Sequence, residues 1–331
     1  PGDIGCVPAA AGGPKGLALL PLDRLLLQHG WLPEACPVEL IGASVGAWRM
    51  AALAQDKPLD ALDRVQRAYV HEQSYSKHPT PSEVSTACRR IAAAARGDDD
   101  LRWRPGVRLS IVTSRARGPL HERESKLAFG RAVLSNALAR SRLAGYLERV
   151  VFQAGSGPSV FDGDAFDDFG LVRVGLDPVN AEDALLASGT IPTLASPVRD
   201  IPGAPPGLYG DGTRVDYHLL LPYQRQRSAG RIVLYPHFND FVTPGWLDKY
   251  LPWRRSPRAH PWLDDMLLVA PSPAFLATLP NGKLPDRQDF YRYGPDHTGR
   301  IGAWETAIAE CGQLANAILG WIERPDPTQL D

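Results

Sequence analysis

A serine lies at the centre of residues 41–47, which read Ile-Gly-Ala-Ser-Val-Gly-Ala. Gly42 and Gly46 therefore stand two positions away from Ser44 on either side. Glycines let the backbone turn sharply from a strand into a helix, and such a turn lifts the serine oxygen above the sheet edge. We predict that Ser44 is a nucleophile. The alternative is an ordinary turn whose serine caps the helix.

The residues around this turn predict a strand over 38–41 and a helix over 45–55. The first N–H groups and the positive dipole end of that helix would then lie close to Ser44. Both favour an alkoxide or an oxyanion at this position. The segment therefore supplies a hydroxyl together with part of its electrostatic support.

An aspartate between two glycines occurs much later in the chain, where residues 208–213 read Leu-Tyr-Gly-Asp-Gly-Thr. After a short apolar segment, Asp211 can occupy a tight turn with its carboxylate free. The alternative is a turn in which Asp211 caps its own backbone, as Asp-Gly pairs often do. A free carboxylate within reach of a serine can accept the proton of the hydroxyl.

A glycine-rich segment, Gly12-Gly13-Pro14-Lys15-Gly16, follows an apolar run over 4–11. Between a strand and the helical stretch 17–29, it would point backbone N–H groups at an anion, with the charge of Lys15 nearby. Its spacing fits neither of the two common phosphate loops. We predict an anion hole of another kind, or a plain loop. Pro21 would kink the helix unless the helix begins later.

Strands and helices alternate along the rest of the chain, which predicts an α/β fold with a mostly parallel sheet in one domain over 1–331. The predicted helices are 59–73, 82–96 with a Ser82 cap, 122–147, 180–188 and 301–323. The predicted strands are 107–113, 149–154, 171–176, 231–235 and 266–270. The proline-rich stretch 197–207 is predicted to be an exposed linker.

Four motifs occur in an order that resembles the patatin-like phospholipase family: Gly12-Gly13-Pro14-Lys15-Gly16, Gly42-Ala43-Ser44-Val45-Gly46, Ala187-Ser188-Gly189-Thr190-Ile191-Pro192 and Asp211-Gly212. They lie within residues 9–222, and the chain beyond Pro222 matches no motif of that family. The resemblance implies a three-layer α/β/α fold. It also implies hydrolysis of lipid acyl esters by a Ser-Asp dyad without histidine, cofactor or metal.

Carried onto this sequence, the resemblance makes Ser44 the nucleophile and Asp211, supported by Gly212, the base. The oxyanion hole would be formed by the backbone around Gly12, Gly13 and Pro14, and Lys15 would anchor that loop.

The sequence departs from the family at Ala11, where a glycine is usual, and at Thr213. It departs again at Pro14, which has no N–H, so the donors would come from Gly13, Lys15 or Gly16.

Two other functions remain open at this stage. One is an α/β-hydrolase esterase with a triad of Ser44, Asp240 or Asp264, and His260 or His297, in the expected chain order. In the α/β-hydrolase fold several strands precede the nucleophile in the sequence, whereas the residues before Ser44 can form only about two strands. The other is a catalytically silent lipid-binding protein of the same fold.

Composition excludes several classes of function. A net charge of −1 gives no electrostatic case for nucleic acid. The four cysteines are scattered, with no paired spacing and no histidine cluster, so neither zinc nor a disulfide framework is predicted. No apolar run predicts a membrane span and no signal peptide is recognised, so a cytoplasmic location is expected. The sequence begins at Pro1 without a methionine, as expected for an incomplete N-terminus.

Tryptophans and arginines gather over 246–262, within the stretch 238–289 that we interpret as a lid or a substrate-specific insert. Aromatic and basic residues together suit a water-to-lipid boundary, so transient membrane contact through 246–262 is one hypothesis. The alternative is a surface segment whose tryptophans pack inward.

Overall fold

The structure is a computed structural model that describes residues 2–76, 79–97, 101–121, 126–191, 194–225, 231–254, 260–324 and 326. Its helices are α1 (Leu20–Gln28), α2 (Val45–Leu53), α3 (Pro58–Val70), α4 (Pro81–Arg96), α5 (Lys126–Leu138), α6 (Ala181–Ser188), α7 (Pro273–Thr278), α8 (Gln288–Tyr293), α9 (His297–Glu310) and α10 (Gly312–Glu323). Its strands are β1 (Ile4–Ala9), β2 (Val38–Ala43), β3 (Val107–Ala116), β4 (Leu147–Ala154), β5 (Leu171–Gly175), β6 (Val198–Arg199), β7 (Leu208–Asp211), β8 (Ile232–Pro236) and β9 (Met266–Val269).

These strands form one sheet in the order β5-β4-β3-β2-β1-β8-β9, with β7 paired to β3 and to β6. The pairs along β3-β2-β1-β8-β9 and the pair β4–β5 are parallel, whereas β4 and β7 run antiparallel to β3. The sheet is therefore mostly parallel, as predicted.

Helices cover both faces of the sheet. Adjacent residues of a strand point to opposite faces, and accordingly Leu40 belongs to one apolar core and Ile41 to another. The first core is formed with α2, α3, α4 and α6, and the second with α5. The fold is thus a three-layer α/β/α arrangement, which confirms the predicted fold class.

The pairing of β3 places two distant segments side by side. Along one edge, β4 pairs with β3 from Leu109 to Ala116. The other edge is shared, because β2 ends opposite Val112 and β7 ends opposite the next residue, Thr113. The C-terminal ends of β2 and β7 therefore meet, and the residues that follow them become neighbours.

The predicted helix 301–323 is wrong as a single helix. The chain forms α9 and α10 with a break at Cys311, where ψ is −8° and Gly312, a weak helix former, follows. The predicted apolar stripe is buried from Trp304 to Ile318, but Ile322 is exposed.

Other boundaries also differ. Thr80, rather than Ser82, caps α4, because its hydroxyl accepts from the Glu83 N–H while the Glu83 carboxylate accepts in return. The predicted helix 122–147 is shorter: α5 is followed by the 3₁₀ helix Arg140–Gly145, and residues 122–125 lie outside the described residues.

The stretch 197–207 is not a plain linker, because it contains β6 and the buried Ile201. The helix predicted over 17–29 begins at Leu20, after the 3₁₀ helix Gly13–Leu19. Pro21 therefore lies in the first turn of α1, where its missing N–H costs no hydrogen bond.

Candidate active site

Ser44 lies on a strained turn between β2 and α2. Its φ and ψ are 57° and −128°, a conformation that non-glycine residues rarely adopt. The side chain makes no capping hydrogen bond to α2, so the capping alternative does not describe this turn. The flanking glycines are required by space, because a Cβ on Gly42 would overlap the backbone of Ala47 and one on Gly46 would overlap the carbonyl oxygen of Ala9.

Ser188 holds this turn from the neighbouring helix. The Ser44 N–H donates to Ser188 Oγ at 2.9 Å, and that hydroxyl donates to the Val112 carbonyl at 2.8 Å. Ser188 thus links the strained residue to β3. It lies in the third of the four sequence motifs, but its spacing alone assigned it no role.

Asp211, the last residue of β7, has its carboxyl group beside Ser44, whose side chain lowers the pKa of that carboxyl. Its Oδ1 also accepts the Thr213 N–H at 2.8 Å, so the predicted turn-capping contact exists beside the contact to serine. Both Ser44 and Asp211 are buried. Gly212 permits the approach, because a Cβ there would overlap the Val112 carbonyl oxygen and press on the Ala43 side chain.

The environment of Asp211 makes it a stronger base than an exposed carboxylate. Burial raises the pKa of Asp211 to about 6. The Thr213 N–H, the positive charge of Arg287 and the nearby Ser44 side chain oppose this rise. The carboxylate is therefore ionised at neutral pH while retaining more proton affinity than usual.

The glycine-rich segment lies on the other side of Ser44. Gly13 begins a 3₁₀ helix with φ +58°, and the first N–H groups of such a helix have no partner within it. Gly12, Gly13 and Lys15 line a cavity that also contains Ser44. Pro14 and Gly16 are buried and do not line it.

Phe238 supports this loop from below. A Cβ on Gly12 would overlap the Phe238 ring, and Lys15 Nζ lies 5.5 Å from the centroid of the same ring. Burial lowers the pKa of Lys15, and Asp286 opposes that effect. Lys15 therefore holds the loop to its support and brings positive charge to the cavity.

Two cavities meet at the serine. One, of about 200 Å³, has a wall of mixed polar and apolar surface, and we call it the polar cavity because that wall includes Lys15, Lys249 and Arg287. The other, of about 730 Å³, is mainly apolar, with a wall that includes Trp48, Tyr69, Val84, Ile91, Leu194 and Phe290. Both are lined by Gly13, Ser44, Ile191 and Arg287. A molecule with one polar and one apolar part could place the junction between them at Ser44.

Arg287 was not found by sequence reasoning. It belongs to the predicted insert 238–289, which carries no motif, and it lines both cavities. Arg287 follows Asp286, whose N–H donates to Asp289 at 2.9 Å. The Asp289 carboxylate also accepts from Lys283 Nζ at 2.7 Å and from Trp304 Nε1 at 2.9 Å, so buried contacts hold this loop.

The residues of the alternative triad are dispersed. His297 lies on the wall of the apolar cavity, at the start of α9. His260 lies away from both cavities, where its Nδ1 accepts the Trp262 N–H at 3.2 Å. Asp240 and Asp264 line neither cavity. The carboxylate beside Ser44 is that of Asp211.

The tryptophans of 246–262 have different environments. Trp246 lines the polar cavity, and Trp262 packs edge-on against Phe166 at 5.6 Å between ring centroids. Trp253 is exposed. The arginines at 255 and 258 lie outside the described residues, as does Pro192 of the third sequence motif.

Over the part of the chain that the structure describes, no group of three or more His, Cys, Asp or Glu side chains could hold a metal ion. Within the same ranges, the helices are too short or too polar to cross a membrane.

The sheet and its two helical layers define an α/β protein of the three-layer class. No protein-family model matches the chain, and no curated protein matches it. Among solved structures, it is similar to VipD from Legionella pneumophila, with a TM-score of 0.36 and 12% sequence identity, over 96% of this chain and 67% of the VipD chain.

Proposed function

We propose that this chain is a serine-dependent carboxylic ester hydrolase of the patatin-like phospholipase type, acting on acyl esters of lipids. The observation that carries the proposal is the buried Asp211 carboxyl beside Ser44, in the wall of one cavity, with Ser44 also lining the second, apolar cavity. The order of the four sequence motifs points to the same chemistry.

In the proposed reaction, Ser44 Oγ attacks the ester carbonyl carbon while Asp211 takes the hydroxyl proton. N–H groups of the glycine-rich loop stabilise the negative charge on the carbonyl oxygen. The tetrahedral intermediate collapses as Asp211 returns the proton to the leaving alcohol, which leaves an acyl group on Ser44. Water then attacks this ester with Asp211 again as the base, and the carboxylic acid and free serine are released.

The two cavities suggest how a lipid would be oriented. An acyl chain suits the apolar cavity, because transfer of its methylenes from water is favourable. The polar cavity has three cations in its wall, Lys15, Lys249 and Arg287, against the two carboxyl groups of Asp211 and Asp286, and this excess of positive charge suits an anionic headgroup. A phospholipase A or lysophospholipase type of activity is therefore proposed ahead of hydrolysis of neutral glycerides.

Labelling with a fluorophosphonate probe tests the nucleophile directly. The wild-type chain should be labelled, and Ser44→Ala should abolish both labelling and ester hydrolysis. Labelling that persists in Ser44→Ala would exclude the proposed nucleophile. A folded wild-type chain that binds lipid but is neither labelled nor active would favour the silent lipid-binding alternative.

Substitutions at the candidate bases separate the dyad from the triad. We expect Asp211→Asn to lower kcat by at least about 100-fold, since general-base catalysis contributes on this scale. His260→Ala and His297→Ala should retain most of the hydrolysis of a short water-soluble ester. The reverse pattern, with activity lost at a histidine and kept in Asp211→Asn, would favour the triad.

A further inference from the structure

Helix α5 presents an apolar stripe to solvent. Leu127, Leu134 and Leu138 recur at the spacing of one helix face, and their side chains are 68%, 62% and 64% exposed. The opposite face, with Ala128 and Ala132, packs into the core. A surface helix normally turns its leucines toward the core, so packing among the described residues does not explain the sequence of α5.

The aromatic segment before residue 255 extends the stripe. Arg254 Nη2 donates to the Ala137 carbonyl at 3.1 Å, and Asn136 Nδ2 donates to Asp248 Oδ1 at 3.0 Å. These bonds fix Tyr250 and Trp253, which are 67% and 75% exposed, beside the end of α5. We call the set Leu127, Leu134, Leu138, Tyr250 and Trp253 the α5–Trp253 face.

The α5–Trp253 face is continuous with the mouth of the candidate active site. Tyr250 contacts Trp246 at 6.4 Å between ring centroids, and Lys249 Nζ lies 4.8 Å from the Trp246 ring and 4.7 Å from the Tyr250 ring. Trp246 and Lys249 both line the polar cavity that contains Ser44. Any surface that binds the α5–Trp253 face would therefore lie next to the opening of that cavity.

Positive charge lies on and beside the face. Arg131 and Arg142 are exposed, and Lys249 lies over the Tyr250 ring, whereas Arg140 is ion-paired with the buried Asp248. Arg131 is exposed within the leucine stripe itself. Leucines with tryptophan and tyrosine at their margin and arginines among them suit a lipid–water boundary with anionic headgroups.

We propose that the α5–Trp253 face docks on a lipid surface that carries anionic headgroups. The choice of lipid over a protein partner rests on the proposed function, because the face adjoins the cavity assigned to a lipid headgroup. This proposal differs from the predicted membrane contact through 246–262, because it places the centre of the contact on α5. Tyr250 and Trp253 lie at the margin of that contact. Trp262 is excluded because it packs on Phe166.

Sedimentation with vesicles of phosphatidylcholine, with and without phosphatidylglycerol, tests the docking. The chain carries Ser44→Ala so that no lipid is consumed, and failure of the catalytic proposal cannot affect the result. We expect binding that increases with phosphatidylglycerol and decreases with salt. Leu134→Gln with Leu138→Gln keeps good helix formers and should weaken binding about 10-fold, since each leucine loses an apolar contact.

Leu59→Gln is the matched control, because Leu59 is an exposed leucine on α3, on the opposite face of the sheet. It should bind vesicles like the parent chain. The leucine double variant should unfold at nearly the same denaturant concentration as its parent, which shows that it folds.

Equal vesicle binding by the double variant and its parent would overturn the proposal. So would the absence of binding to either vesicle. A dimer in solution that the double variant dissociates, without vesicle binding, would also overturn it and assign the face to a second copy of this chain.

Discussion

Asp211 combines two properties that a serine-activating base needs. It lies against the hydroxyl, and burial holds its pKa at about 6, well above that of an exposed aspartate. Arg287 opposes the rise, because a positive charge favours the ionised carboxylate. The proton affinity of the base is thus set partly by a residue on a loop from the last third of the chain.

This balance predicts the acid limb of the pH profile. Protonated Asp211 cannot accept a proton, so kcat/KM on a neutral short-chain ester should fall as the pH drops through about 6. Arg287→Gln removes the opposing charge and should move the limb to higher pH. Arg287→Lys keeps the charge and should leave the limb nearly unchanged. A limb at the same pH in all three chains would show that Arg287 does not act on the base.

At the scale of elements, the turn at Ser44 depends on the close approach of α2 to β1. Gly46 faces the Ala9 carbonyl oxygen, and no side chain fits between them. The same strand–turn–helix unit places the N-terminus of α2 under Ser44. The turn therefore tolerates strain at Ser44 because its two flanking elements are tightly packed.

Gly46→Ala should lower the free energy of unfolding by about 1–3 kcal/mol, the usual cost of overpacking a core. Gly320→Ala is the matched control in α10, where a Cβ would meet open space. That change should leave the stability equal or raise it by about 0.5–1 kcal/mol, because alanine is the better helix former. Chemical denaturation measures both. Equal shifts in the two variants would contradict the packing account.

At the scale of the whole molecule, the C-terminal region completes a candidate site whose Ser44 and Asp211 come from the N-terminal two thirds. Asp286 and Arg287 line the cavity that contains Ser44, and buried Asp289 anchors their loop to Trp304 of α9. The predicted insert 238–289 thus contributes walls to the cavity. Its contacts with α9 position Arg287 between the polar and the apolar cavity.

Asp289→Asn should therefore act through Arg287. An amide cannot accept all the hydrogen bonds that the Asp289 carboxylate accepts, so the loop should loosen and KM for an anionic ester should rise more than KM for a neutral one. Asp289→Asn and Arg287→Gln should each raise the ratio of KM for the anionic ester to KM for the neutral ester. Their effects on this ratio should not add, because both changes weaken the same contact, that between Arg287 and the anionic ester. Additive effects in the double variant would show that Asp289 has a separate role.

Much of the site could be predicted from the sequence because its determinants are local. Glycines on both sides of Ser44 favour a sharp turn through local steric rules, whatever the rest of the chain does. The alternating residues of β2 and β3 predict strands on the same basis. The pairing of Ser44 with Asp211 was predicted only through the order of motifs, because no local rule brings two such distant residues together.

The sequence by itself determined the turn at Ser44, the glycine-flanked Asp211 and the alternation of strands and helices, since steric and periodic rules act over a few residues. Tertiary structure decided the rest. The register of β2 and β7 on β3 placed Asp211 beside Ser44, and the packing of α6 and of the loop at Arg287 brought Ser188 and Arg287 next to them. It also left the leucines of α5 exposed, because Ala128 and Ala132 on the opposite face pack into the core. Each of these depends on contacts between segments far apart in the chain, which no local pattern encodes.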